Sequence, residues 1–453
     1  MRSTVWRVAA LCCVWSGRVL CGEPSSVATI QQEELASINV FNYPQAVVEV
    51  HKVEIVLGKD ADPPARPDTT RHLREKQRLL QRMDRSHGTW NEHHPRHRLL
   101  EAFRGFSAYA EAQNAELGRL KTLYSHTSRK QKALLERVVK YSQKFTEIAR
   151  RLERNQQVCD DIVRTGLEFY GIEREELDQH TRSMNAAGRA ADRVSVSQAL
   201  KHFVRDWAAS GASERDAAFP CILRALDNFF PNSGEEVVKV LLPGAGVGRL
   251  GHEVAKLPGF EVTNNEWSMY QNLAYRFLEH RHSLPNTNTT TIHPFADSWS
   301  HHRSTADMLR PISFPNIPLN STSVVLVEGD FTTVFSDAAA TFDVVITHFF
   351  IDTARNLMSY FDTIYRVLKP GGHWINFGPL LYGTAPFVQL SLEEIVSVAE
   401  AMGFEFMEVP EGCGEVTMPG NKVRGLEAVY GFDERAMTKN AYEAQFWVAR
   451  KRE

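Results

Sequence analysis

Three glycines at alternate positions, Gly244, Gly246 and Gly248, follow directly on an apolar run at residues 237–242. Glycine lets the backbone turn sharply and approach a ligand with no Cβ in the way, and a following helix adds unpaired N–H groups. Glu266 stands 22 residues beyond Gly244, about where the next strand should end and where a carboxylate would accept both hydroxyls of a ribose. Asp330-Phe331 follows a further apolar run at residues 324–327, pairing an acceptor for an exocyclic amine with a ring to stack on a base. The chemistry these residues share is the clasping of a nucleoside. A dinucleotide site would place its third glycine where this chain has Arg249, which disfavours a nicotinamide dehydrogenase.

To clasp a nucleoside, the glycines and carboxylates must sit at the ends of buried strands. Residues 237–242, 324–327, 342–346 and 374–377 are short continuous apolar runs, the pattern of strands covered on both faces. A helical stretch at 358–368 ends in Lys369-Pro370-Gly371-Gly372 and feeds the last of them. Strands alternating with helices predict an α/β fold, a doubly wound Rossmann-like sheet with helices on both faces. Two final strands, 404–409 and 444–448, are expected to close the sheet at one edge, separated by weakly patterned chain.

Upstream the period changes to that of helices. Leu117, Leu120, Leu123 and Tyr124, then Leu134, Leu135, Val138, Tyr141, Phe145, Ile148 and Leu152 recur at three- and four-residue steps, predicting two amphipathic helices packed as a hairpin. Residues 71–154 carry 20 Lys+Arg against 9 Asp+Glu, which reads as a solvated basic face or as a surface for phosphate or RNA. A second helical segment spans 196–230 and stops at Pro231-Asn232-Ser233-Gly234. The expected organisation is a leader and linker over 1–70, an N-terminal helical domain over 71–234 and the sheet domain over 235–453.

With 453 residues, 24% charged and a net charge of −3, the chain is neither fibrous nor wholly disordered. Its six cysteines are too few and too scattered for a disulfide framework, and none forms a paired metal-ligand spacing, so a reducing compartment and no metal are expected. Residues 1–22 have the outline of a secretory signal, but the apolar run is short and Arg18 interrupts it, so a cleaved signal is disfavoured. No other stretch approaches a membrane span. The glycosylation triplets at Asn288 and Asn320 are short enough to arise by chance.

The order of glycine turn, acidic strand end, Asp-Phe pair and Pro-Gly-Gly turn is similar to that of class I S-adenosylmethionine-dependent methyltransferases. Longer strings narrow this: LKHFVRDW (200–207), SERDAAF (213–219), LLPGAGVGRLGHEVAKL (241–257), NEWS (265–268), HFFIDTARN (348–356), DTIYRVLKPGGHWINFGPLLY (362–382) and YEAQFWVARK (442–451) resemble the carnosine N-methyltransferase family. The resemblance implies methyl transfer from S-adenosylmethionine to an imidazole nitrogen of a histidine-containing dipeptide, giving anserine from carnosine. It also implies a homodimer, no membrane, and a cytoplasmic location with the nucleus as a second.

The same resemblance implies roles for single residues. Arg205 matches the family's cofactor-binding arginine, a forked donor suited to a carboxylate, and His202 stands where the family has a glutamine. Gly244 and Gly246 match the cofactor turn, Glu266 the ribose acceptor, and Asp330 and Phe331 the adenine clamp; His348 replaces a cysteine beside the cofactor. Asp352 is the expected catalytic and substrate-binding residue. The reacting imidazole nitrogen must be unprotonated, so a carboxylate accepting the opposite N–H fixes the tautomer and stabilises the cation formed. The plainer role for Asp352 is a helix N-cap. Tyr442 matches a substrate-contacting tyrosine. After Leu381-Tyr382 the family has a histidine that holds the dipeptide, whereas this chain has Gly383 and a shorter segment before Ser391; His348 and His373 are the imidazoles left to compensate. Two other functions stay open: a methyltransferase acting on RNA or protein histidine, and a catalytically inactive cofactor-binding paralogue.

Overall fold

The computed structural model describes residues 69–283, 289–320, 322–383 and 385–453. The leader, most of the linker, Cys12, Cys13, Cys21, Asn288 and Thr384 lie outside the described residues.

Helices come first: α1 (Thr69–Met83), α2 (Pro95–Ser107), α3 (Tyr109–Ser125), α4 (Arg129–Val139), α5 (Tyr141–Tyr170), α6 (Arg174–Ala186), α7 (Arg193–Trp207) and α8 (Ala212–Phe229). Their ends are written locally. Pro95 opens α2 behind a His94 cap, Ser128 and Gln131 form a reciprocal capping box on α4, and Gly171 ends α5 in the left-handed region. Five helices thus replace the expected basic hairpin. Long α5 buries Phe145, Ile148, Leu152 and Ile162, but α4 buries nothing, leaving Leu134 and Val138 51% and 66% exposed. The helix expected over 196–230 breaks at a 3-10 turn, Ala209–Gly211, which turns α8 back so that Arg215 donates to the carbonyls of Arg205 and Ala208.

Beyond Gly234 strands and helices alternate: β1 (Val238–Pro243), α9 (Arg249–Val254), β2 (Phe260–Glu266), α10 (Met269–Ser283), β3 (Thr290–Ile292), α11 (Thr305–Leu309), β4 (Ile312–Phe314), β5 (Val324–Glu328), α12 (Phe331–Val334), β6 (Phe342–His348), α13 (Leu357–Val367) and β7 (Leu368–Gly378). Then follow α14 (Leu392–Ala401), β8 (Phe404–Met407), β9 (Glu415–Val416), β10 (Arg424–Val429) and β11 (Ala441–Lys451). The main sheet runs β5-β2-β1-β6-β7-β11-β10-β9, with β8 also paired to β11. The first five are parallel; β11 lies antiparallel to β7. The chain leaves β1 toward β2 and returns toward β6, so the ends of β1 and β6 form the crevice where such sheets bind ligands. Instead of β8 and β11 closing the edge, β9 and β10 extend the sheet beyond β11.

The helices and the sheet share their cores. Phe103, Ile162 and Phe203 join Leu273, Phe277 and Phe314 in one cluster, while Cys221, Ile222 and Leu226 of α8 pack with Val240, Ile346 and Phe446 in another. Within the latter core Cys221 is bonded to Cys413, their Cα atoms 5.6 Å apart across a separation of 192 residues. The reducing reading of the scattered cysteines does not extend to this pair. Asn320, at a glycosylation triplet, donates from Nδ2 to the Ala255 carbonyl and receives the N–H groups of Thr322 and Ser323, so its amide is spent on a turn.

Candidate active site

The glycine turn ends β1 in the left-handed region at Gly244 (φ 66°) and Gly246 (φ 58°). A Cβ on Gly244 would collide with the Phe350 ring, and one on Gly246 would lie 3.1 Å from Nη2 of Arg205. Glu266, at the end of β2, accepts the N–H of Gly246 at 2.9 Å through Oε2 and that of Ser268 at 2.7 Å through Oε1. These amides fix the carboxylate beside the turn. Burial raises its pKa, with the same backbone bonds opposing.

α7 runs past the turn and supplies the cation. Arg205 donates Nε and Nη2 to the two oxygens of Asp206, at 2.7 and 3.3 Å, and Nη1 to the Tyr430 hydroxyl at 2.9 Å. Asp206 in turn receives the Val247 N–H, which ties the arginine to the glycine turn. His202, one helical turn earlier, packs edge-on to Phe432. Its Nδ1 is buried with no hydrogen-bond partner among the described residues, and so is Nε2 of His348 at the end of β6. Burial first, then the Arg205 charge, pushes both imidazoles down to about 3, so both are neutral at physiological pH.

The segment after β6 joins these parts. Phe349 takes a left-handed φ of 50°, a strained conformation for a bulky residue. Its ring stacks on Tyr430 at 4.9 Å and meets Tyr442 edge-on at 6.0 Å. Phe350 stacks on Tyr360 and touches Phe331. Asp352 lies in a 3-10 turn, 7% exposed, where its Oδ2 accepts the Leu381 N–H at 3.0 Å. Burial raises its pKa to about 7, opposed by backbone N–H groups. Its bonding partner is thus the loop after β7 that carries Gly383, not a helix N-terminus. Around Gly383 the space is open enough for a side chain.

The remaining expected residues carry structural contacts of their own. Asp330 caps α12, accepting both the N–H and the hydroxyl of Thr332, and Phe331 is buried against Phe335, Phe350 and Tyr360. His373 pairs with Val344 whereas Phe377 pairs with His348, so it sits about 13 Å down the strand from the site, against Phe229 and Phe230. It cannot replace the lost histidine. Beside Tyr430, Phe349 and Asp206, a further pair was not singled out from the sequence. Trp267, 55% exposed, follows Glu266 directly, and Arg98 of α2 lies 3.6 Å over its ring while donating to its carbonyl. Trp267 carried a signal in its position; Arg98 carried none, because only tertiary packing brings it near Glu266 and Asp330.

A doubly wound sheet with one antiparallel strand set beyond β7, and a glycine turn answered by an acidic strand end, is the fold of a class I methyltransferase. Residues 183–453 match the family described as carnosine N-methyltransferase. The carnosine N-methyltransferase of Mus musculus is 31% identical over 367 residues, covering 79% of this chain and 86% of that protein. That of Rattus norvegicus is 33% identical over 316 residues (67% and 74%), and that of Schizosaccharomyces pombe 32% over 278 residues (56% and 70%). The chain belongs to the carnosine N-methyltransferase family.

Proposed function

We propose that the chain transfers a methyl group from S-adenosylmethionine to an imidazole nitrogen of carnosine or a related histidine-containing dipeptide, giving anserine from carnosine. The observation that carries this reading is Asp352, a buried carboxylate tied to the loop at Leu381, three residues beyond a strained Phe349 that packs on two tyrosines.

The residues fit the cofactor. Two buried imidazole nitrogens, of His202 and His348, lack partners among the described residues, and a Cβ at Gly246 would crowd Arg205 and His202 beside the turn. Arg205 retains unused N–H donors for a carboxylate, and Glu266 retains lone pairs for ribose hydroxyls. When bound, S-adenosylmethionine supplies a methyl group already activated by its sulfonium. The chain's part is then alignment and exclusion of water. Ionised Asp352 accepts the N–H of the non-reacting imidazole nitrogen, directs the lone pair of the other outward, and faces the positive charge that develops on the ring. The Phe349, Tyr430 and Tyr442 rings cluster there, and an aromatic face turned to that ring attracts its positive charge.

The test is incubation with methyl-labelled S-adenosylmethionine and carnosine, beside homocarnosine, free histidine and a histidine-containing tripeptide, with the label located by mass spectrometry. Label on the carnosine imidazole is expected. Cofactor binding with no labelled dipeptide would overturn the acceptor assignment and turn attention to RNA and protein substrates. The basic N-terminal helices are read as a solvated face, supported by the pairing of Arg82, Arg96, Arg104, Arg119, Arg150 and Arg151 with glutamates. A homodimer in the cytoplasm or nucleus belongs to the same proposal and is checked by light scattering and by imaging of the tagged chain. Among the described residues no helix is long and apolar enough to cross a membrane.

A further inference from the structure

Glu214, in the first turn of α8, has no part in the mechanism above. Its Oε1 accepts two backbone N–H groups, from Gly431 at 3.2 Å and from Phe432 at 2.5 Å. This clasp holds the turn that seats the Tyr430 hydroxyl on Arg205 and the Phe432 ring on His202. Phe432 is itself left-handed, with φ 62°, so the turn needs holding. The second oxygen is different. Oε2 is sealed from solvent and has no hydrogen-bond partner among the described residues. An unpaired buried carboxylate oxygen is costly, and a hydrogen-bond donor or a cation that meets it recovers that cost. The cation whose field Glu214 feels most, Arg205, is engaged by both oxygens of Asp206 and by Tyr430. Burial accordingly holds the Glu214 carboxyl above its usual range.

We propose that Oε2 of Glu214 is the acceptor for an alkylammonium group of a bound ligand. With the free donors of Arg205 it forms a pair of opposite charges bridged by the 430–432 turn, the complement of an amino-acid zwitterion. The inference rests on the methyl-transfer reading, in which two ligands carry such an ammonium: the methionine end of S-adenosylmethionine and the β-alanyl end of carnosine. The shared chemistry is the alkylammonium, and the test separates its sources.

Glu214→Gln keeps an oxygen for the Gly431 and Phe432 N–H groups and puts an NH2 donor where the free acceptor stood. The full chain and this variant are titrated calorimetrically with S-adenosylmethionine and with methylthioadenosine, which lacks the amino-acid end. KM is measured for carnosine and for N-acetylcarnosine, which lacks the ammonium. The expected result is a roughly ten- to hundredfold weakening for one ammonium-bearing ligand, with less than a twofold change for its ammonium-free analogue. The ligand that moves identifies the source. Unchanged binding of both ammonium-bearing ligands overturns the proposal. So does an equal loss for the ammonium-free analogues, which would reduce Glu214 to a support for the turn. If wild type binds S-adenosylmethionine but labels no dipeptide, the acceptor assignment fails, and the calorimetric comparison alone decides the role of Glu214.

Discussion

Asp352→Asn should make the protein more stable at alkaline pH while stopping turnover. Burial moves the carboxyl from the usual 3.8 to about 7, and a displacement of that size corresponds to roughly 4 kcal/mol against the ionised form in the fold. The folded state therefore binds more protons than the unfolded state between about pH 4 and pH 7. Stability falls as pH rises through that window and stays reduced above it. Asparagine carries no charge and keeps an oxygen for the Leu381 N–H. The variant should gain about 1–4 kcal/mol over wild type at pH 8 and close to nothing at pH 4. Activity should respond oppositely, because Asn loses the negative charge needed to stabilise the imidazolium: a drop of about a hundredfold or more. Wild-type kcat/KM should rise through about pH 7 as Asp352 ionises. Urea denaturation at pH 4 and pH 8, with initial rates from labelled methyl transfer, checks both arms. A variant less stable than wild type at pH 8, or one that keeps its rate, would refute the reasoning.

Other perturbations reach other parts of the site. Gly244→Ala adds a Cβ against Phe350 at a left-handed φ and should weaken S-adenosylmethionine binding at least tenfold, read by calorimetry, with the helical circular dichroism retained. Cys413→Ser should cost about 2–4 kcal/mol in the absence of reductant; with the Cys221–Cys413 bond reduced, wild type and variant should unfold at nearly the same urea concentration. Arg98→Ala removes the cation over Trp267. It should shift the Trp267 fluorescence and raise the cofactor Kd severalfold while leaving kcat near wild type; an unchanged Kd would place the pair outside the nucleoside site.

Where a local pattern alone determined structure, the sequence was legible. Continuous apolar runs marked β1, β5, β6 and part of β7, and the spacing from Gly244 placed Glu266 at the end of β2, because buried parallel strands and their turns are specified by neighbours in the chain. Periodicity failed on α4: the recurrence of Leu134 and Val138 announces a helix but not whether anything covers it. β9 and β10 were missed because an edge strand half open to solvent, with Gly425 inside it, has no apolar run to show. Residues converging from far apart left still less trace. Arg98 and Tyr430 reach the site through tertiary packing, and Cys221 meets Cys413 across 192 residues.

The place of β11 in the sheet has a consequence for biosynthesis. β11 separates β10 from the parallel strands, pairing with β7 on one side and β10 on the other. When Tyr430 and Phe432 leave the ribosome, the strand before them, β10, has the two-residue β9 to pair with but not β11 until residues 441–451 follow. The glycine turn can form much earlier, from β1, β2 and β6. A message ending prematurely anywhere between codons 433 and 440 would yield a product with the glycine turn intact and the aromatic wall unanchored, missing Tyr442, Phe446 and Trp447.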